Sequence, residues 1–142
     1  MSGVTFDWDD RNADDPLVRN ALEELSRRFG AHHIWYRTSS SGNGLHIMVG
    51  SMKYARANGG VHLAPITMSV AHQFALRKEF GEDPWVDDQG PLECPGRFIS
   101  DSARSVYGFS TSRIFGVKTD ADGEPALCGL WICWGGNDCE TL

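Results

Sequence analysis

The stretch DPLVRNALEELSRRFG, residues 15–30, constrains the fold more than any other part of this chain. Asp15 suits an N-cap, because its carboxylate can accept from the unpaired backbone N–H groups of a first helical turn. Pro16 suits the first helical position, where no N–H is needed. Val18, Ala21, Leu22, Leu25 and Phe29 recur at helical spacing as one apolar stripe, and Gly30 can close the helix. A helix with a single apolar stripe must bury it against a second layer. The residues just before it supply one. In GVTFDWD, Val4, Phe6 and Trp8 alternate with Thr5, Asp7 and Asp9, the period of a half-buried strand.

The rest of the chain extends this pattern. A second strand is expected in HHIWYRTS, followed by the turn SSSGNG and a third strand, LHIMVG. In that third strand Leu45, Ile47 and Val49 would pack inward, leaving His46 and Met48 on the other face. Residues 51–64 read as an irregular connection. A second helix is expected over PITMSVAHQFALRKEF, with Pro65 near its start and Gly81 past its end. EDPWVDDQGPLECPG reads as loop. Strands are expected again in RFISD, RIFGVKT and ALCGLWICW, with DADGEP as a hairpin turn between the last two. The length of 142 residues suits a single domain, 1–142. The expected fold is α+β: an RRM-like β-α-β-β-α core, its mixed or antiparallel sheet covered on one face by two helices, with a C-terminal β hairpin. The face away from the helices would be open, and it would carry Asp7, Asp9 and His46 together.

Composition narrows the function classes. With 41% hydrophobic and 23% charged residues, disorder is not expected. No apolar run approaches the ~18 residues of a membrane-spanning helix. The acidic start MSGVTFDWDD lacks the positive region of a signal peptide, so a cytoplasmic protein is expected, in the host cytoplasm if the source is viral. A net charge of -6 argues against binding nucleic acid through bulk positive charge. It leaves room for a metal-dependent enzyme, which needs carboxylates for the metal and only a local basic stripe for phosphates. Cys128, Cys133 and Cys139 lie in CGLWICWGGNDC, and Cys94 lies upstream. Their spacing is wider than the two-residue spacing of common zinc sites, so zinc is not expected and free thiols are.

Two strand carboxylates on one face stand about 7 Å apart at their Cα atoms, close enough to reach shared divalent cations. Mg²⁺ and Mn²⁺ take oxygen ligands and share them with phosphates. Taken alone, DWD reads more simply as the solvated end of an acidic strand, since Asp10, Asp14 and Asp15 follow. Gly42 and Gly44 in the next turn permit close backbone approach, the serines 39–41 add hydroxyls, and Arg37 adds a guanidinium for phosphate. Taken alone, this is also a hairpin turn with an incidental histidine. Trp8 and Trp35 are the tryptophans to test as stacking platforms.

Together, TFDWD and RTSSSGNGLHIMV resemble the first two motifs of the archaeo-eukaryotic primase superfamily, which includes primase small subunits, primase-polymerases and the polymerase domains of bacterial end-joining ligases. Its first motif is a hydrophobic strand with D-x-D or D-x-E. Its second is a small-residue turn leading into a strand with histidine, and TSSSGNGLH is similar to the T-S-G-x-x-G-L-H of the ligase-linked polymerases. The third is a hydrophobic residue followed by Asp on a later strand, for which Asp101 is preferred, with Asp87 or Asp88 as alternatives. The resemblance, to a minimal viral or plasmid form, implies that Asp7, Asp9 and Asp101 hold two divalent metals, Mg²⁺ or Mn²⁺. It implies a nucleotide site of His46, Ser41, Arg37, Gly44, Arg113 and Lys118, with Arg104 as a further contact to template or phosphate, while Tyr107 resembles the aromatic residue that follows the third-motif aspartate. The implied reaction is attack of a 3′-hydroxyl, or of an initiating nucleotide, on an α-phosphate with pyrophosphate leaving. The implied partners are nucleoside triphosphates, a nucleic-acid template, and a helicase or larger replication subunit, with no membrane. The alternatives are an inactive nucleotide- or single-strand-binding module on the same fold, and a partner-binding structural protein.

Overall fold

The structure is a computed structural model, and it describes residues 3–59, 63, 66–106, 114, 118–136 and 139. In chain order these form β1 (Val4–Asp9), α1 (Pro16–Phe29), β2 (Ile34–Thr38), β3 (Gly44–Val49), α2 (Met52–Ala57), α3 (Val70–Glu79), β4 (Val86–Asp87), β5 (Gly90–Pro91), α4 (Pro95–Val106), β6 (Lys118–Thr119), β7 (Pro125–Ala126) and β8 (Ile132–Cys133). The fold is α+β, built on an antiparallel sheet in the order β1-β3-β2-β8.

Local chemistry explains most boundaries. Asp15 caps α1, its carboxylate accepting from the backbone of Leu17 at 2.9 Å and of Val18 at 3.4 Å. Gly30 ends the helix at φ 92°, a conformation that favours glycine. Ser69 caps α3 by accepting from the His72 N–H at 3.0 Å, so the second long helix begins five residues later than the sequence reading has it; Pro65 lies outside the described residues. The stripe of α1 packs on the sheet as expected. Val18, Ala21, Leu22 and Leu25 are buried with Val4, Phe6, Trp8, Ile34, Leu45, Ile47 and Val49, and with Leu76 of α3 and Phe80 at its C-terminal cap. Each Val, Leu, Ile or Phe among them contributes roughly 1.5–3 kcal/mol when fully buried. Aromatic rings line this core, with Phe6, Trp8 and Trp85 grouped around Phe80 at centroid distances of 5.0–6.1 Å.

The other face of the sheet is not open along its length. Trp35 and Met48, which pair in register, are buried in a second core with Met52, Ala55, Leu63, Ile114 and Trp131. Residues 51–64, read as irregular, hold α2, and Ser51 caps it through the Tyr54 N–H at 3.2 Å. Trp8 and Trp35 lie inside the two cores, so neither is a stacking platform.

Three further expectations change. RFISD is the first half of α4 and not a strand; the Phe98 N–H donates to the Cys94 carbonyl at 2.9 Å to open the helix. Five residues are too few to separate a period of 2 from one of 3.6. Within the expected loop 82–96, β4 and β5 pair as a small hairpin. The expected long strand 126–134 pairs regularly only at β8, although the Gly129 N–H reaches the Thr38 carbonyl at 2.9 Å and that of Trp134 reaches Ile34 at 2.8 Å. β6 and β7 do pair across DADGE, where the Asp120 carboxylate accepts from the backbone of Asp122 and Glu124. β1 is the outermost strand of the sheet, and buried Arg77 of α3 donates from Nε to its Thr5 carbonyl at 3.2 Å. Among the described residues no helix is long and apolar enough to cross a membrane.

Candidate functional site

Strand register builds the site. Asp7 on β1 lies opposite His46 on β3, and His46 lies opposite Arg37 on β2, so the three form one row across the sheet. The neighbouring row begins with Asp9 opposite Gly44. Side chains at alternate positions share a face, so Asp7, Asp9, His46 and Arg37 all stand on the side away from the α1 core. Thr5, Met48 and Trp35 form the next row on that side, and there the second core takes over.

Within the row, the Arg37 Nε–H donates to His46 Nδ1 at 3.0 Å. A guanidinium cannot accept, so Nδ1 is the acceptor nitrogen and the ring proton sits on Nε2. His46 is only 8% exposed, and Arg37 thereby fixes it as a neutral donor. Arg37 also donates from Nη2 to the Ile114 carbonyl, and its guanidinium lies 4.4 Å from the centre of the Trp131 ring. Burial pushes the Arg37 guanidinium below the ordinary arginine value, and the charge of Arg56 adds to this.

The two carboxylates meet a residue that the sequence reading passed over. Arg97, on the first turn of α4, places one nitrogen 3.6 Å from an Asp7 oxygen and another 3.7 Å from an Asp9 oxygen. The Asp7 side chain is 13% exposed and that of Asp9 54%. Both acids therefore converge on one cation. An oxygen-only pair that can share a cation fits a hard divalent ion such as Mg²⁺ or Mn²⁺. Among the described residues no three His, Cys, Asp or Glu gather as a metal site.

The remaining candidates distribute differently. Asp101 is on α4, four residues after Arg97, and not on a strand; Arg104 follows on the same helix, and the side chains of both lie outside the described residues. The backbone of Lys118 is in β6, opposite Ala126, while Tyr107 and Arg113 lie outside the described residues. Asp87 is tied to Arg11, whose two terminal nitrogens each lie 2.7 Å from one of its oxygens. Arg11 also holds Asp15 at 3.0 Å and the Gly90 carbonyl at 2.7 Å. Hydrogen bonding to Arg11 holds the Asp87 carboxyl below the usual carboxylate range. Asp88 is exposed.

Ser41 is exposed in the β2–β3 turn, its hydroxyl 3.0 Å from that of Ser39 and accepting from the Asn43 N–H at 3.3 Å. Gly44 packs tightly: a Cβ there would stand 3.1 Å from the Trp8 carbonyl oxygen. Two clefts open beside the end of β1. One of about 210 Å³ is lined by Asp10, Arg11, Asn12, Gly42 and Asn43. The other, of about 270 Å³, is lined by Asp9, Gln89, Cys94 and Pro95 among others. Cys94 is free and exposed there, and Cys128 is also free. Cys133 and Cys139 are joined as a disulfide with their Cα atoms 6.2 Å apart, so these two are not the free thiols the sequence suggested. The turn at Gly135 and Gly136 brings the chain back within bridging distance. Comparison with family models, curated proteins and solved structures yields no match to this chain.

Proposed function

We propose that this chain is a metal-dependent nucleotidyltransferase domain of the primase-polymerase kind, an enzyme that uses nucleoside triphosphates on a nucleic-acid template. The observation that carries the reading is the row Asp7–His46–Arg37 with Asp9 beside it. Two motifs about forty residues apart in the chain meet as direct cross-strand partners. The β1-α1-β2-β3 order with β3 central supports an RRM-like core, here with β8 added on the β2 edge.

In this reading Asp7 and Asp9 hold the divalent ion. Bound there, such an ion neutralises phosphate charge and orients the reacting groups. His46, fixed by Arg37 with its proton on Nε2, donates a hydrogen bond to a phosphate oxygen. The clefts flanking Asp9 and Asp10 take the rest of the nucleotide, with the Gly42–Asn43 backbone as one wall. The chain's contribution is positioning and preorganised charge.

The test is nucleotide incorporation on a single-stranded template with Mn²⁺, in wild type and in Asp7→Ala/Asp9→Ala. Incorporation lost in the variant is the expected result, and incorporation unchanged by it overturns the reading. A second reading, a nucleotide-binding module without chemistry, is favoured by one observation: Arg97 stands between the two carboxylates. Such a module would protect Cys94 from maleimide when nucleotide is added, yet make no product.

A further inference from the structure

Arg97 occupies the position toward which both carboxylates point. Its guanidinium is within 4 Å of Asp7 and of Asp9. It comes from a different layer of the fold, the first turn of α4, two residues after Pro95, which with Cys94 walls the larger cleft. Two acids facing one partly shielded point repel each other unless a positive charge lies between them. One guanidinium relieves that repulsion, and so does a divalent ion. Both cannot occupy the same point, because their like charges would then be in contact.

We propose that Arg97 is an internal counter-cation that competes with divalent metal for Asp7 and Asp9, and that on release it becomes a phosphate ligand for the bound nucleotide. The inference rests on the reading of Asp7 and Asp9 as metal ligands. A guanidinium displaced from two carboxylates stays tethered to α4, beside the cleft. Its planar fork of donors matches phosphate oxygens as well as it matches carboxylate oxygens. The site therefore holds its acids paired when empty of nucleotide, and exchanges an internal cation for metal when phosphates arrive to take the arginine.

The test is Mn²⁺ binding to the whole chain without nucleotide, followed by electron paramagnetic resonance of the free ion. Arg97→Gln should bind Mn²⁺ tighter than wild type by on the order of tenfold, the effect of removing one nearby positive charge from a partly exposed site. Arg97→Lys keeps the charge but not the fork, and should fall between the two. Asp7→Asn/Asp9→Asn should abolish binding. If Arg97→Gln fails to fold by circular dichroism, Arg97→Lys carries the test, and an affinity equal to wild type overturns the proposal. Equal affinities in wild type and Arg97→Gln, both lost in Asp7→Asn/Asp9→Asn, overturn the competition and leave the metal reading standing. Binding that is absent throughout, or indifferent to Asp7→Asn/Asp9→Asn, removes both.

Discussion

Replacing Arg11 by Met should cost about 2–3 kcal/mol of stability, although Arg11 touches neither the histidine nor the carboxylate pair. The side chain of Arg11 is 2% exposed and makes two contacts to Asp87, one to Asp15 and one to the Gly90 carbonyl. Hydrogen bonds to charged groups contribute about 1.5–3 kcal/mol each in favourable cases. Losing one partner of a fully buried ion pair costs about 3–5 kcal/mol. Two features reduce the figure here. Asp87 is 36% exposed and regains water, and Asp15 keeps its bonds to the α1 backbone. Methionine also fills much of the arginine's volume. For a chain of this size about 1 kcal/mol corresponds to roughly 3 °C, so the melting temperature should fall by about 6–9 °C. Urea unfolding and calorimetry measure both quantities. Arg11→Met/Asp87→Leu should recover part of the loss, because the orphaned carboxylate is gone. A single variant within about 0.5 kcal/mol of wild type would refute the argument that this clamp joins the end of β1 to the β4–β5 hairpin.

The same pair sets an acid dependence. Asp87 is held below the usual carboxylate value by Arg11, so its contribution is complete above about pH 5 and is lost as pH falls through the lowered folded value. Melting temperature between pH 6 and 2.5 should drop more steeply in wild type than in Arg11→Met, and parallel curves would count against the linkage. Arg37→Met should release the tautomer of His46, because the Nε donor to Nδ1 is gone. Imidazole nitrogen NMR shifts should move from a pure Nε2–H form toward a mixture, with nucleotide binding about tenfold weaker. A His46 spectrum unchanged in that variant would mean that another group fixes the ring.

The elements with a strong local signal were legible in the sequence. β1, α1, β2 and β3 follow from alternation, one N-cap and one glycine, and the period of two alone puts Asp7, Asp9 and His46 on a common face. What alternation cannot give is register, and register is what makes Asp7 and Arg37 the two neighbours of His46. The later half was less legible because its elements are short. RFISD mimics a strand over five residues, whereas Pro95 and the run through Val106 make it a helix. That error hid Arg97. On the first turn of a helix it reaches back to β1. A positive residue two positions after a proline, at the end of an acidic stretch, was the available signal. The second core was equally hard to foresee. It draws on Ile114 and Trp131, far from α2 in sequence, and no periodicity links them.

The hydrogen bond from Arg77 to the Thr5 carbonyl bears on how the molecule meets other copies of itself. The outermost strand of a sheet is a template for further strands, and proteins commonly blunt such an edge with charge. Here the strand bearing both site carboxylates is the outer one, and a buried guanidinium takes one of its carbonyls. The opposite edge is the two-residue β8, where Ile132 is 51% exposed and Leu130 just before it 88%. The sheet is thus asymmetric toward self-association. Among the described residues, strand addition is opposed on the edge that carries both carboxylates, and the β8 edge presents exposed apolar side chains instead.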